Sequence, residues 1–327
     1  MFLYIVKRIL LIIPTFIGIT IVIFLVVHLA PGDPIKGMIG ELSNKLSPEA
    51  YENFKRSYGL DKPILERYLI WFRNFILFDF GNSFQYGKKV SELILERLPV
   101  TITINILSQL IILIFGITIG VLAGIHRGKL FDKTSSVVLF GLYSLFEPWV
   151  ALMLLLILAI WLGIFPIGGF TSINFDEMNF FEKLMDVAYH VTLPVIVLSY
   201  AGIAFVAKVV RTSIIEVSNQ EYVKFARSLG ILERKVRFHY ILRNSLIPVI
   251  TIFSTVLPAL IAGSIIIEKI FSLPGIGQLF YNAVFSRDYP IVMGLSAISA
   301  LLTLVSLLIA DILYVIADPR IKFSSQH

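Results

Sequence analysis

The sequence predicts an all-α membrane protein with six transmembrane helices. Of its 327 residues, 57% are hydrophobic and only 15% are charged, where soluble domains carry about a quarter charged residues. Mean hydropathy is +0.85. Six runs each reach the roughly 20 apolar residues that a helix needs to cross a hydrocarbon core. Cysteine is absent, which excludes a disulfide framework, thiolate metal sites and a cysteine nucleophile.

The first run, Ile9–Leu29, follows Lys7 and Arg8. It exceeds the roughly 7–15 apolar residues of a signal peptide and reads as a retained helix, placed at 1–30. Residues 31–98 read as a small extracytoplasmic segment. Their Lys and Arg are nearly matched by Asp and Glu, and loops beyond about 60 residues translocate largely regardless of charge. Within the segment, Ser91–Leu98 (SELILERL) sets Leu93, Ile94 and Leu98 on a shared helical face. Residues 99–317 form a core with the other five spans: Val100–Ile125, Val137–Phe165, Val187–Val210, Leu246–Ile270 and Ile291–Ala317. Pro14, Pro148, Pro194 and Pro258 interrupt the runs, which membrane helices tolerate when neighbours satisfy the freed carbonyls. A tail, 318–327, ends the chain.

Charge sets the orientation. Lys7 and Arg8 place the N-terminus in the cytoplasm by the positive-inside rule, and six spans return Arg320 and Lys322 to the same side. His126–Ser136 is then cytoplasmic. So is the stretch from Lys208 to Arg243, where eight cations face only Glu216, Glu221 and Glu233, an excess that accounts for nearly all of the formal +6.

Motifs for soluble chemistry fail on spacing. Gly81–Lys89 (GNSFQYGKK) has five residues between its glycines and a lysine where a phosphate-binding loop needs Ser or Thr. Gly275–Phe280 (GIGQLF) lacks the third glycine of a dinucleotide fingerprint. The five histidines are scattered, so neither an enzyme active site nor a resident metal is expected.

Polar residues inside the spans are functional candidates, because they are costly in lipid. Asn105 and Gln109 sit at i and i+4, read either as interhelical hydrogen-bonding groups or as substrate contacts. Glu147, before Pro148, is a candidate for the substrate pathway. Glu268 and Asp311 lie near span ends.

The basic stretch carries a second pattern. Tyr222, Phe225, Ala226 and Leu229 fall at i, i+3, i+4 and i+7, one helical stripe. Gly230 follows where helices commonly end in a left-handed residue. Leu232–Tyr240 repeats the pattern less cleanly. Two short amphipathic helices hinged at Gly230 are therefore expected. The alternatives are a basic loop touching lipid headgroups and a surface that docks a partner.

These residues resemble a known family. EYVKFARSLG (Glu221–Gly230), followed by His239, Leu242–Asn244 and Ile247–Pro248, is similar to the EAA loop of ABC-importer permeases of the oligopeptide/dipeptide/nickel branch. APGDP (Ala30–Pro34), GLDKP (Gly59–Pro63), GNSF (Gly81–Phe84), ELILERLP (Glu92–Pro99), IEKIF (Ile267–Phe271), PGIG (Pro274–Gly277), RDYP (Arg287–Pro290) and DPR (Asp318–Arg320) extend the likeness along the chain. Lys224, Phe225 and Glu147 depart from the family pattern.

The resemblance implies a type I ABC-importer permease fold in a bacterial or archaeal cell membrane, with both termini cytoplasmic. It implies a second, homologous permease subunit, two cytoplasmic ATPase subunits holding ATP and Mg2+, and an extracytoplasmic substrate-binding protein. The coupling loop would be 211–247, with Glu221, Tyr222, Phe225, Ala226, Leu229 and Gly230 meeting an ATPase. Glu268, Pro274, Gly275 and Gly277 would face the binding protein. Peptides are the expected cargo, with nickel, glutathione or sugars as alternatives. An ion-driven secondary transporter using Glu147 or Asp311 is the rival class, against which stands the lack of an internal repeat.

Overall fold

The computed structural model describes residues 2–29, 49, 51, 53, 61–253, 259–261 and 263–317. The expected tail, the APGDP and DPR motifs, Pro258 and most of 31–60 lie outside those residues. The described residues form helices and connecting loops, with one isolated antiparallel bridge between Asn82 and Lys89.

Helix α1 (Phe2–Leu29) contains the expected first span and keeps Pro14 within it. Leu10, Val22 and Val26 are more than half exposed, as side chains facing lipid would be. Helix α2 (Ile64–Ile76) follows Pro63, whose fixed φ suits a helix entrance. Helix α3 (Val90–Ile125) runs 36 residues with Pro99 inside. The helix runs without a break through the expected border between an external segment ending at 98 and a span starting at Val100. A proline removes one donor, but the apolar run on both sides supplies buried positions enough to carry the helix through it.

The stretch of the expected third span, Val137–Phe165, is sharply bent. Helix α4 (Leu130–Ser144) stops, Leu145 and Phe146 are extended, and helix α5 (Glu147–Leu154) leaves at 93° before π-helical Leu155–Trp161. Pro148 causes the stop, because it has no N–H for the carbonyl of Ser144 and its ring would collide with that carbonyl in a continuous helix. Tyr200 donates its hydroxyl to the Leu145 carbonyl at 2.8 Å, satisfying a group freed at the bend.

Helix α6 (Phe180–Ser218) opens with a capping box between Asn179 and Glu182 and contains the expected fourth span. Helix α7 (Glu221–Ser228) precedes α8 (Glu233–Lys235), which continues through π-helical Val236–Leu242 and Arg243–Ser245. The expected fifth span, Leu246–Ile270, is broken. Helix α9 (Ile247–Phe253) and helix α10 (Ile265–Ile270) are separated by a left-handed Gly263. Helices α11 (Ile276–Ser286) and α12 (Tyr289–Ala317) complete the order.

Among the described residues, four helices are long and apolar enough to cross a membrane: Val6–Leu29, Val90–Ile125, Phe180–Ser218 and Tyr289–Ile312. The bent α4–α5 pair, counted as one span, makes five.

Contacts divide the chain into two units. The first comprises Met1–Thr101, Ile261–Ile265 and Pro274–Val305. Its core sets Phe24 and Tyr68 against Tyr289 and Met293, and Val90, Leu93 and Ile94 against Ile276, Leu279 and Ile291. Asp288, fully buried, accepts hydrogen bonds from Ser83 Oγ (2.5 Å) and the Gln85 amide (3.0 Å).

The second unit comprises Ile102–Leu260, Ile266–Leu273 and Ser306–His327. Its core is the pair α3–α6. Gly116, Gly120 and Gly124 face Val206, Val210 and Ile214, so close that a Cβ on any of them would come within 3 Å of the opposite helix. The constant offset makes the two helices parallel. The end of α6 is tied to α4 by Arg211, which donates to Asp132 through Nε (2.5 Å) and Nη2 (2.9 Å).

Candidate functional site

Helix α7 stands on the end of the α3–α6 pair. Val223 and Ala226 are buried in a cluster with Ile112, Val206, Val210, Ile214, Val236, Ile241 and Val249. Glu221 lies in the first turn and Arg227 in the last, both favourable toward the helix dipole. The expected stripe divides here. Ala226 turns inward with Val223, whereas Tyr222, Phe225 and Leu229 are exposed by 42%, 64% and 63%. Four apolar residues on adjoining arcs over about two turns cannot all face outward when the helix must also seal a core, and the small Ala226 is the one that fits against it. Sequence periodicity located the stripe but missed Val223, the anchoring residue.

Gly230 is where the expected hinge should be. Its φ is +72°. Its amide donates to the Arg227 carbonyl (3.0 Å) and the Ile231 amide to the Ala226 carbonyl (3.3 Å), the two bonds of a Schellman stop. Ile231 packs against the cluster that holds Ala226, so the turn is closed by an apolar contact as well. Beyond it, Leu232 and Phe238 add exposed apolar surface. Glu233 binds Arg227 through both carboxylate oxygens (3.1 and 3.2 Å) and also accepts from Arg237 Nε at 3.3 Å. Arg227 foremost, with Arg237 behind it, holds the Glu233 carboxyl below the usual carboxylate range. Asn244 reaches back to Tyr222 Oη (3.2 Å) and the Tyr240 carbonyl (2.8 Å). The two arms of the loop are thus cross-braced on either side of Gly230.

The other candidates fall elsewhere. In the second unit, Asn105 donates to the carbonyls of Ala259 (2.9 Å) and Leu260 (3.2 Å), groups near the break before Gly263. Gln109 is half-buried one turn along the same helix. Glu147 is half-buried at the start of α5, at the bend, while Glu268 is buried in α10. In the first unit, Gly275 caps α11 and Thr101 Oγ1 accepts the amide of Ile276 at 2.8 Å. Gly275 and Gly277 are buried and Pro274 is half-buried, so these residues shape the backbone rather than present side chains. Among the described residues no cluster of His, Asp or Glu could hold a metal ion.

Residues 116–323 match the family described as binding-protein-dependent transport system inner membrane component, and residues 1–105 match its N-terminal companion. The oligopeptide transport system permease protein AppB of Bacillus subtilis is 40% identical over 321 residues, covering 98% of this chain and 99% of that protein. The di/tripeptide transport system permease protein DppB of Pseudomonas aeruginosa is 34% identical over 98% of both chains. The peptidoglycan transport system permease protein YejB of Agrobacterium fabrum is also 34% identical over 98% of both.

Proposed function

Because the chain belongs to the family of inner-membrane components of binding-protein-dependent transport systems, we propose that it is the permease subunit of an ATP-driven importer of peptides. Membership makes it a multi-pass membrane component that works with ATPase and substrate-binding partners, not the ATPase itself. The peptide cargo follows from relatives named for oligopeptide and di/tripeptide transport that match end to end. Nickel, glutathione and sugars have no such support.

In this reading a second, homologous permease subunit completes the pathway and two cytoplasmic ATPase subunits carry ATP and Mg2+. The chain crosses six times, with the broken stretches 130–161 and 247–270 each counting once. Both termini are cytoplasmic, and the loops between α1 and α3 lie outside with the binding protein. Asn105, Gln109 and Glu147 lie along the pathway, while Glu268, Pro274, Gly275 and Gly277 shape the outer loop that meets the binding protein.

The observation that carries the coupling role is the exposed stripe of Tyr222, Phe225 and Leu229 on a helix pinned at Val223 and Ala226. A helix whose inner face is core and whose outer face is bare apolar surface suits a groove on a partner. Its Schellman stop and the Glu233 braces make α7 and α8 move as one lever, so that closure of the ATPases shifts the ends of α3 and α6. Such coupling needs different contacts in two states.

The test is the pair Phe225→Asp and Leu229→Asp. Both side chains are exposed, so the chain should still insert and fold, while copurification of the ATPase and peptide uptake fall at least tenfold. Normal uptake by well-expressed variants would remove the role. Uptake by the chain alone in liposomes under an ion gradient would establish the secondary-transport reading instead.

A further inference from the structure

Two contacts fix the depth of the bend between α4 and α5. Arg211 of α6 binds Asp132 near the start of α4, and Tyr200 of α6 binds the Leu145 carbonyl at its end. Tyr200 is eleven residues from Arg211, about 16 Å of rise along an unbroken helix. Arg211 stands just past one end of the expected fourth span, Val187–Val210. The bend therefore falls near the middle of a hydrocarbon core about 30 Å thick.

Lipid at that depth would be a poor solvent for what the bend presents. Leu145 and Phe146 are extended between the two helices and are 41% and 71% exposed. Non-helical backbone within a membrane persists only where protein covers it or a water-filled cavity meets it. Glu147 follows, half-buried, and makes no hydrogen bond or ion pair among the described residues. It is the only Asp, Glu, Lys or Arg between Lys133 and Asp176. The apolar runs 9–27, 100–125, 187–207, 247–267 and 289–310 contain no lysine or arginine either. A carboxylate within a membrane faces the interior or a cavity and is paired there. This chain has no lysine or arginine in its spans to pair with Glu147, so the cation comes from outside the chain.

We propose that Glu147 recognises the ammonium group of a peptide in transit, as a specificity-determining residue of the pathway. An unblocked peptide carries that group at its N-terminus, and a lysyl residue supplies a second. Phe146 and Trp149, neighbours of Glu147 that are 71% and 52% exposed, offer ring faces, which attract cations. An ammonium stripped of part of its water gains more from a carboxylate at low dielectric than it would in bulk water. The inference rests on the peptide-import reading and deepens it, by naming the group on the cargo that the pathway grips.

The experiment is ATP-driven uptake by the whole complex in liposomes, with its binding protein at saturation. Wild type, Glu147→Gln and Glu147→Asp are compared on trialanine, alanyl-lysyl-alanine and alanyl-(Nε-acetyl-lysyl)-alanine. Glu147→Gln should lower kcat about tenfold, the scale of one charge-assisted hydrogen bond. KM, set by delivery, should stay as in wild type, and Glu147→Asp should recover most of the rate. Slowing of all three peptides identifies the N-terminal ammonium, whereas slowing of alanyl-lysyl-alanine alone identifies the side chain. Wild-type rates in Glu147→Gln overturn the proposal, as does a change in KM alone. So does equal slowing by both variants, the mark of a structural role. Loss of the second permease subunit on copurification of Glu147→Gln would make this an ion pair between subunits and also overturns it. A wild-type complex that imports no peptide fails the transport reading and this inference together, whereas the other adverse results fail this inference only.

Discussion

Gly230 shows how much a single backbone angle carries. With φ at +72° it closes the α7 helix, and a Cβ built there meets nothing within 4 Å. The demand is therefore conformational and not steric. Gly230→Ala should cost about 1–2 kcal/mol, the left-handed penalty of an L-residue, and Gly230→Asn distinctly less. Hydrogen exchange at residue 230 and Ile231 should rise in that order; equal protection in all three forms would show that the turn is held by something else. Ala226 teaches the complementary lesson. At 3% exposure, a charge placed there would break the core cluster before it tested any docking. Glu233 is the titrating member of the loop. Its pKa is depressed in the folded chain, chiefly by Arg227. Its contribution is thus present above the ordinary glutamate value near 4.3 and fades as pH falls through the lower folded value. The pair is nearly half exposed, so the contribution is below about 1 kcal/mol. Glu233→Gln should lower thermal stability by that amount at pH 7 and flatten the acid-side dependence between roughly pH 5 and 3. A variant whose melting follows the wild-type acid profile would rule the brace out.

Among elements, the α3–α6 pair decides whether the lever has a rigid base. Gly120 lies so close to α6 that an added Cβ would sit 2.7 Å from the Ala207 carbonyl oxygen and 2.8 Å from Val210 Cβ. Gly120→Ala should destabilise the purified chain by about 1–3 kcal/mol, the usual cost of overpacking. Gly141→Ala in α4, where nothing lies within 4 Å, should be neutral or gain up to about 1 kcal/mol from helix propensity. Similar melting shifts in the two variants would mean that the close approach is not a constraint. The glycine spacing at 116, 120 and 124 is legible in the sequence as small residues every four positions, but which helix they face is not. Other elements were legible because their cause is local. The stop at Gly230 needs only a residue that tolerates positive φ, and the apolar length of α1 needs only its own run. The bend at Pro148 and the passage of α3 through Pro99 were not. A proline breaks or spares a helix according to whether the turn on its N-terminal side, which loses a hydrogen bond, is held by packing and other partners, and no local pattern records that. The same holds for Ala226, whose inward turn depends on α8 and α9 closing over it.

At the scale of the whole molecule, the number of crossings decides every assignment of side, and the broken stretches leave that number to be tested. Six crossings put the loops after α3 and α6 in the cytoplasm and the loop between α5 and α6 outside. If the bent α4–α5 pair instead entered and left on one face, everything from α6 onward would change sides relative to Lys129. The natural sequence holds no cysteine, so single cysteines can report each side without background. Lys129 and Ser228 are exposed in their loops, and Ile173 is fully exposed between α5 and α6. A membrane-impermeant maleimide applied to intact cells should label Ile173→Cys alone, and all three variants after the membrane is opened. Labelling of Ser228→Cys in intact cells would place α7 outside, away from any ATP-hydrolysing partner, and with it would go the coupling role of Phe225 and Leu229. Labelling of Ser228→Cys in intact cells together with protection of Ile173→Cys would make α4–α5 a re-entrant hairpin, with α6 entering from the cytoplasmic side. The eight cations between Lys208 and Arg243 argue against both outcomes, since moving that excess across a membrane opposes the bias that orients helical spans.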